Sequence, residues 1–335
     1  MTRRIAINGF GRIGRMVFRI LEDVADIEVV GINDLTDPAT LAHLLEFDSV
    51  HGRFSKSIRV EDKAIIVDDR RVPTFAERNP ADIPWGELGV ELVLECTGVF
   101  RNKDTAAGHL SAGAKAVILS APAKGPVDAT IVMGVNDETL DMNTHRVVSN
   151  GSCTTNCLAP VVKVLDEAFG LNHGLVTTIH SYTNDQRLLD LPHSDLRRGR
   201  AAAVSMVPTS TGAAKAIGLV MPHLAGKLDG IAVRVPTPNV SLVDLVADVN
   251  TDVTADDVLN AVRAAVDGGL NGVLAIEDKP LVSTDYIGNP NSSIVDADNV
   301  MVIGGRTVKI LSWYDNEWGF SCRMVDLARL MLQGI

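Results

Sequence analysis

Aromatic residues are scarce in this chain, 4% of the total against 46% hydrophobic, so its core must be mostly aliphatic. Cysteine is scarce as well: Cys96, Cys153, Cys157 and Cys322 are the only four in 335 residues. So few thiols in so long a chain argue against a disulfide framework. No paired Cys-x-x-Cys and no His-Glu-x-x-His spacing occurs, so no metal is expected. No apolar run approaches the ~18–20 residues that span a bilayer. Met1 to Asn8 reads as a strand and shows no charged leader with a cleavage site, so a cytoplasmic protein without a membrane role is expected. Lysine is rare, ten of 31 basic residues, and 42 acidic residues leave a net charge of −11. Such a chain repels nucleic acid, which is excluded as an expected partner. The one dense basic cluster, Arg197-Arg198-Gly-Arg200, is read as serving phosphate.

The length suits two domains. Arg4 to Asn8 is a short apolar strand that runs into Gly9-Phe-Gly11-Arg-Ile-Gly14. Arg15 to Val24 follows with apolar residues at helical spacing, then a buried strand at Ile27–Asn33 and the acid Asp34. Each part has a physical use. Gly9 permits the tight turn, Gly11 lets backbone approach a pyrophosphate, and Gly14 lets the helix pack closely on the strand. Asp34 can accept hydrogen bonds from a ribose diol and repels a 2′-phosphate, which favours NAD. Strands at Leu92–Cys96 and Ala116–Ser120 alternate with helical stretches, the pattern of a doubly wound, mostly parallel sheet. Asn33-Asp34, Thr97-Gly98 and Ser120 close three of these strands, on the edge where such sheets bind ligands. Ser57 to Pro73 reads as a small antiparallel insertion, and Cys96 as a buried, inert thiol.

Arg146 to Ser149 leads into Asn150-Gly-Ser-Cys153-Thr-Thr-Asn-Cys157, and Thr154 to Phe169 has helical periodicity. Cys153 therefore stands at a helix N-terminus, where unpaired amides and the dipole favour a thiolate. Pro160 inside that helix is expected to kink it. Cys157, one turn deeper, reads as a core residue. Gly174 to His180 is a β-branched strand with His180 at its end, so the two side chains can meet as nucleophile and base. Asp185 to Ser205 is a long polar-to-basic loop, and Thr211-Gly212 precedes an apolar helix at Ala213–Val220.

Ile7 to Arg15, Ser152-Cys-Thr-Thr-Asn-Cys157, His180-Ser-Tyr-Thr-Asn-Asp-Gln186, Ser210 to Lys215, Arg234-Val-Pro236 and Trp313 to Gly319 together resemble the glyceraldehyde-3-phosphate dehydrogenases, over essentially the whole chain. The resemblance implies a phosphorylating, NAD-type, bacterial-like glycolytic enzyme. It implies a Rossmann-type domain over 1–150, completed by a C-terminal helix within 317–335. An α+β catalytic domain with a mostly antiparallel sheet would span 151–316. Cys153 would be the nucleophile that forms a hemithioacetal and a thioester, and His180 its base. Arg12 and Ile13 would touch the pyrophosphate and Asp34 the ribose. Arg78 and Ser120 would line the cofactor site, and Asn316 would hold the nicotinamide carboxamide. Thr183 and Arg234 would bind the substrate phosphate; Ser152, Thr154, Arg198, Thr211 and Gly212 would bind inorganic phosphate. A homotetramer is implied. Gly151 stands where many family members carry alanine, a difference that would loosen the turn before Cys153. Two alternatives stay open at this point: an erythrose-4-phosphate dehydrogenase, and a non-catalytic NAD-binding regulatory protein of the same fold.

Overall fold

Arg3–Asn8 is an inner strand of a nine-stranded sheet in the computed structural model, which describes residues 2–335. It pairs in parallel with Ile27–Asn33 on one side and Leu92–Glu95 on the other. Ala116–Leu119 and Val147–Ser149 extend the parallel run. Four of the six residues of Arg3–Asn8, and nearly all of its neighbours, are buried, as befits a sheet covered on both faces. The hairpin strands Ile58–Glu61 and Ala64–Val67 are antiparallel, as read from the sequence, but they are not separate from the main sheet. Arg70–Phe75 pairs in parallel with the end of Ile27–Asn33 and joins them to it.

The first helix is Arg12–Leu21, three residues ahead of the expected start. The glycine turn needs nothing beyond Gly11, so the chain can coil at once. The helix stops before Val24 because the amides of Asp23 and Val24 bond back to Ile20 and Leu21 in tight turns. These elements belong to a unit made of Met1–Ile131, Glu138–Gly151 and Ser321–Ile335.

The second unit, Val132–Asp137 with Ser152–Phe320, holds an eight-stranded sheet. Leu171–Ser181 sits inside it, antiparallel to Ser241–Val249 and parallel to Leu228–Val235. Thr307–Tyr314 pairs antiparallel with Ser241–Val249 in turn. Side chains alternate along Leu171–Ser181, so Val176, Thr178 and His180 face inward while Leu175 is exposed. Helices Cys153–Phe169, Ala213–Val220 and Ala255–Asp267 supply Leu158, Val162, Leu165, Ile217 and Val258 to one aliphatic core with Val243 and Leu245. Each such side chain contributes roughly 1.5–3 kcal/mol on burial.

Cys153–Phe169 runs on as α-helix through Pro160. Gly170, at φ +70°, ends it, and its amide bonds to Asp166. Among the described residues no helix is long and apolar enough to cross a membrane.

Candidate active site

The glycine turn shows what each glycine is for. A Cβ on Gly9, at φ +90°, would meet the Thr97 amide nitrogen at 2.6 Å, and one on Gly14 would meet the Gly9 carbonyl oxygen at 2.2 Å. Gly11 has open space where its Cβ would stand. No side chain caps the helix that begins at Arg12, so its first amides face that space and suit a pyrophosphate. Asp34 accepts from the Phe10 amide at 2.7 Å and from the Thr36 amide at 2.9 Å. The acid thus grips the turn itself while staying half-exposed for a ribose. Arg12 is ion-paired to the Asp48 carboxylate, whose side chain is 1% exposed. Burial works against that carboxylate, but the Arg12 bond and the amides of His51 and Val50 win and lower its pKa to about 2. Ile13 and Ser120 are half-buried and Arg78 is exposed. These residues fit a dinucleotide.

Cys96 is half-buried, not fully buried as its apolar run suggested, because its strand ends one residue earlier at Glu95. Its thiol is nonetheless pushed up to about 12 by burial and by the Glu95 charge.

In the second unit, Ser152 caps the helix of Cys153: its Oγ accepts from the Thr155 amide at 3.0 Å and lies 2.7 Å from the Thr155 hydroxyl. Gly151 sits at φ +67°, where alanine would be strained, so glycine relieves this turn instead of loosening it. Cys153 Sγ lies 3.5 Å from His180 Nε2. His180 Nδ1 lies 2.7 Å from the Ser181 carbonyl oxygen. Arg234 Nη1 is against Nδ1 and 3.1 Å from that same oxygen. Two donors cannot bond each other, but one carbonyl can accept both. Nδ1–H therefore donates to Ser181, and the Nε2 lone pair is left facing the sulfur.

Burial, then the Arg234 charge, lowers the His180 pKa to about 3, against the Ser181 bond. Burial also raises the Cys153 thiol, and Arg234 and Thr154 pull it back. The helix start favours the thiolate, and burial opposes it. The Arg234 charge is the largest influence drawing the thiol back down. Arg234→Leu should therefore slow alkylation of Cys153 by iodoacetamide at neutral pH by about tenfold or more, since a nearby cation shifts such a pKa by ~1–3 units. The sign is fixed: loss of the cation raises the thiol further, so the rate profile moves to more alkaline pH. An unshifted profile would show that the guanidinium does not act on the sulfur.

The other expected residues are held by partners the sequence did not announce. Thr154 Oγ1 and Thr178 Oγ1 each lie 2.9 Å from the Tyr314 hydroxyl, and Tyr314 stands edge-on to His180 with centroids 6.0 Å apart. Asn316 Oδ1 accepts from Ser241 Oγ at 2.8 Å, and Ser241 Oγ accepts from the Ser181 amide at 3.1 Å. Ser181 Oγ donates to the carbonyl of Val240 at 2.7 Å. Val240 is a β-branched residue at φ +66°. Tyr314 lies in the Trp313–Gly319 motif; Ser241 had no signal beyond its place at the start of a strand.

Arg198 is not a solvated surface arginine. It pairs with Asp185 and with Asp195 at 3.5 Å, and its Nε donates to Thr209 at 3.0 Å. Thr211 Oγ1 accepts from the Ala213 amide at 3.2 Å, and Gly212 is exposed at the start of Ala213–Val220. Thr183 is half-buried in a turn closed by the Gln186 amide on its carbonyl at 2.9 Å. Cys157 is fully buried against Ser293 and Ser312, a core residue as expected.

Residues 3–103 match the family model of the glyceraldehyde 3-phosphate dehydrogenase NAD binding domain, and residues 152–316 match that of the C-terminal domain. The chain is 58% identical to a glyceraldehyde-3-phosphate dehydrogenase of Geobacillus stearothermophilus over 98% of each chain. It is 57% identical to the one of Priestia megaterium and 56% identical to the one of Streptomyces coelicolor, again over 98% of each chain. With a dinucleotide turn in one unit, a cysteine–histidine pair in the other and relatives of this likeness along its length, the chain belongs to the glyceraldehyde-3-phosphate dehydrogenase family.

Proposed function

We propose that this chain oxidises glyceraldehyde 3-phosphate to 1,3-bisphosphoglycerate, taking up inorganic phosphate and reducing NAD. The observation that carries the reading is the 3.5 Å approach of Cys153 Sγ to the Nε2 lone pair of a buried, neutral imidazole, in a chain of this family. The first unit takes the cofactor and the second does the chemistry.

The sulfur adds to the aldehyde carbon while Nε2 takes the thiol proton and returns one to the carbonyl oxygen, giving a hemithioacetal. Nε2 then draws the proton from that hydroxyl as the C–H electron pair leaves the same carbon. Bound NAD supplies the hydride acceptor. A thioester remains on Cys153. A phosphate oxygen attacks it, the C–S bond breaks, and the sulfur recovers a proton from the imidazolium. Asn316, its carbonyl oxygen engaged by Ser241, has amide hydrogens to offer the nicotinamide carboxamide. Arg234 and Thr183 bind the phosphate the substrate brings. Arg198, Ser152, Thr154, Thr211 and Gly212 bind the incoming one, with Arg198 exchanging half-exposed Asp185 for phosphate oxygens.

The assay follows NADH formation from glyceraldehyde 3-phosphate with and without inorganic phosphate, before and after thiol alkylation. Sustained turnover should need phosphate and a free thiol. Turnover indifferent to phosphate would overturn the reading.

The partner we propose is the same chain, as a homotetramer. Leu188, Leu191, Leu196 and Val204 of the long loop, with Met206 just after it, are 60–85% exposed, an apolar surface that suits a copy of itself. Sedimentation at the mass of one chain would refute it.

A further inference from the structure

Below the dinucleotide turn, the first unit buries a carboxylate that the chemistry above leaves unused. Glu95 ends the strand Leu92–Glu95 and is 2% exposed. Two relays of donors converge on it. In one, Trp85 Nε1 donates to His109 Nδ1 at 3.0 Å, and His109 Nε2 lies 3.0 Å from Glu95 Oε2. An indole nitrogen can only donate, so Nδ1 must accept and the ring proton must sit on Nε2, aimed at the carboxylate. In the other, the Glu77 amide donates to Asn33 Oδ1 at 2.8 Å and Asn33 Nδ2 to Asn8 Oδ1 at 2.7 Å. Asn8 Nδ2 then donates to Glu95 Oε2.

The remaining oxygen, Oε1, accepts from the Thr97 amide at 2.8 Å and from the Thr97 hydroxyl. That hydroxyl in turn accepts from the Val99 amide at 3.0 Å. Every bond Glu95 makes is as acceptor, as an ionised carboxylate must. Asn8, Asn33, Trp85 and His109 are all at least 95% buried.

What the carboxylate ties together is informative. Asn8 immediately precedes Gly9, Asn33 immediately precedes Asp34, and Thr97 supplies the backbone against which Gly9 packs without a Cβ. Three strand ends on the ligand edge of the sheet are thus fastened to one anion, each through the residue next to its turn.

We propose that Glu95 is a positioning residue for NAD. It sets the Gly9 turn, the Asp34 carboxylate and the Thr97–Val99 loop in their binding arrangement, and Trp85 fixes the His109 tautomer that holds it. The inference rests on the reading that the first unit takes NAD. Glutamine at 95 keeps the size but replaces one oxygen by a donor, so it must oppose either Thr97 or the Asn8 and His109 hydrogens.

The test measures NAD binding by calorimetry on the full-length protein, with kcat at saturating NAD and the alkylation rate of Cys153 without NAD as independent readouts. Glu95→Gln and His109→Leu should each weaken NAD binding by about tenfold or more, the scale of one charge-assisted hydrogen bond. kcat and alkylation should stay within about twofold of wild type. His109→Gln, whose amide can still donate to Glu95, should recover most of the affinity. Trp85 emission should change in His109→Leu and return toward wild type in His109→Gln. Should the buried substitutions fail to fold, Thr97→Val at the exposed end decides: weaker NAD binding at an unchanged melting temperature supports the proposal. Wild-type affinity in the folded variants, or kcat falling in step with affinity, overturns it. A wild-type protein that does not bind NAD would instead defeat the functional reading itself.

Discussion

Serine in place of Cys153 should hold NADH formation from glyceraldehyde 3-phosphate at least about 10⁴-fold below wild type, as loss of a covalent nucleophile does. The position would still cap nothing and clash with nothing, so the fold should stand. The hydroxyl fails for two reasons. Its oxygen holds its proton far more tightly than sulfur does, so far less of the ionised nucleophile forms, and oxygen is the weaker attacker of the two. An ester formed in its place would also be a poorer acyl donor to phosphate than a thioester. NAD affinity, measured by calorimetry, should change by less than about twofold, because the glycine turn and Asp34 are untouched. Substantial turnover by this variant would remove the thioester from the mechanism.

Asparagine in place of His180 should slow acylation by ~10²–10⁴-fold, the range for a lost general base. An amide can mimic the bond to the Ser181 carbonyl, so the strand should keep its course, but it has no lone pair that accepts a proton at the position of Nε2. Single-turnover NADH release is the measurement, since it isolates acylation from attack by phosphate. The defect should shrink as pH rises, because hydroxide can take over a thiol that burial has pushed upward. An acylation rate equal to wild type would exclude His180 as the base, whatever its distance from the sulfur.

Much of this arrangement is legible in the chain itself, and the reason is that the informative residues are local. A glycine turn between an apolar strand and a helix can be read from a dozen consecutive positions. So can a cysteine at the start of a stretch with helical periodicity. Ile27–Asn33 and Ala213–Val220 have the same bounds in the structure as in the pattern of apolar residues. What escapes reading is whatever depends on a partner far along the chain. The Ser241–Asn316 bond spans 75 positions and the Thr154–Tyr314 bond spans 160. Serine at 241 looks like any strand residue until the neighbouring strands are laid beside it. For the same cause the sequence shows Arg198 only as part of a basic cluster: nothing near it reveals that Asp185, 13 residues back, and Thr209, 11 ahead, hold its guanidinium. The shifted first helix and the half-buried Cys96 are errors of boundary, where one residue decides between a strand's interior and its edge.

Val240 carries a different lesson. A branched side chain held in left-handed backbone costs about 1–3 kcal/mol, and glycine would release it. The carbonyl of that residue is the one that holds the Ser181 hydroxyl, next to the proposed base His180. Val240 is itself 2% exposed and packs with Tyr286 and Ile294, so glycine would ease the backbone but leave a void of similar cost. A laboratory selection for heat resistance would gain little at this position, and the bend beside the imidazole should persist.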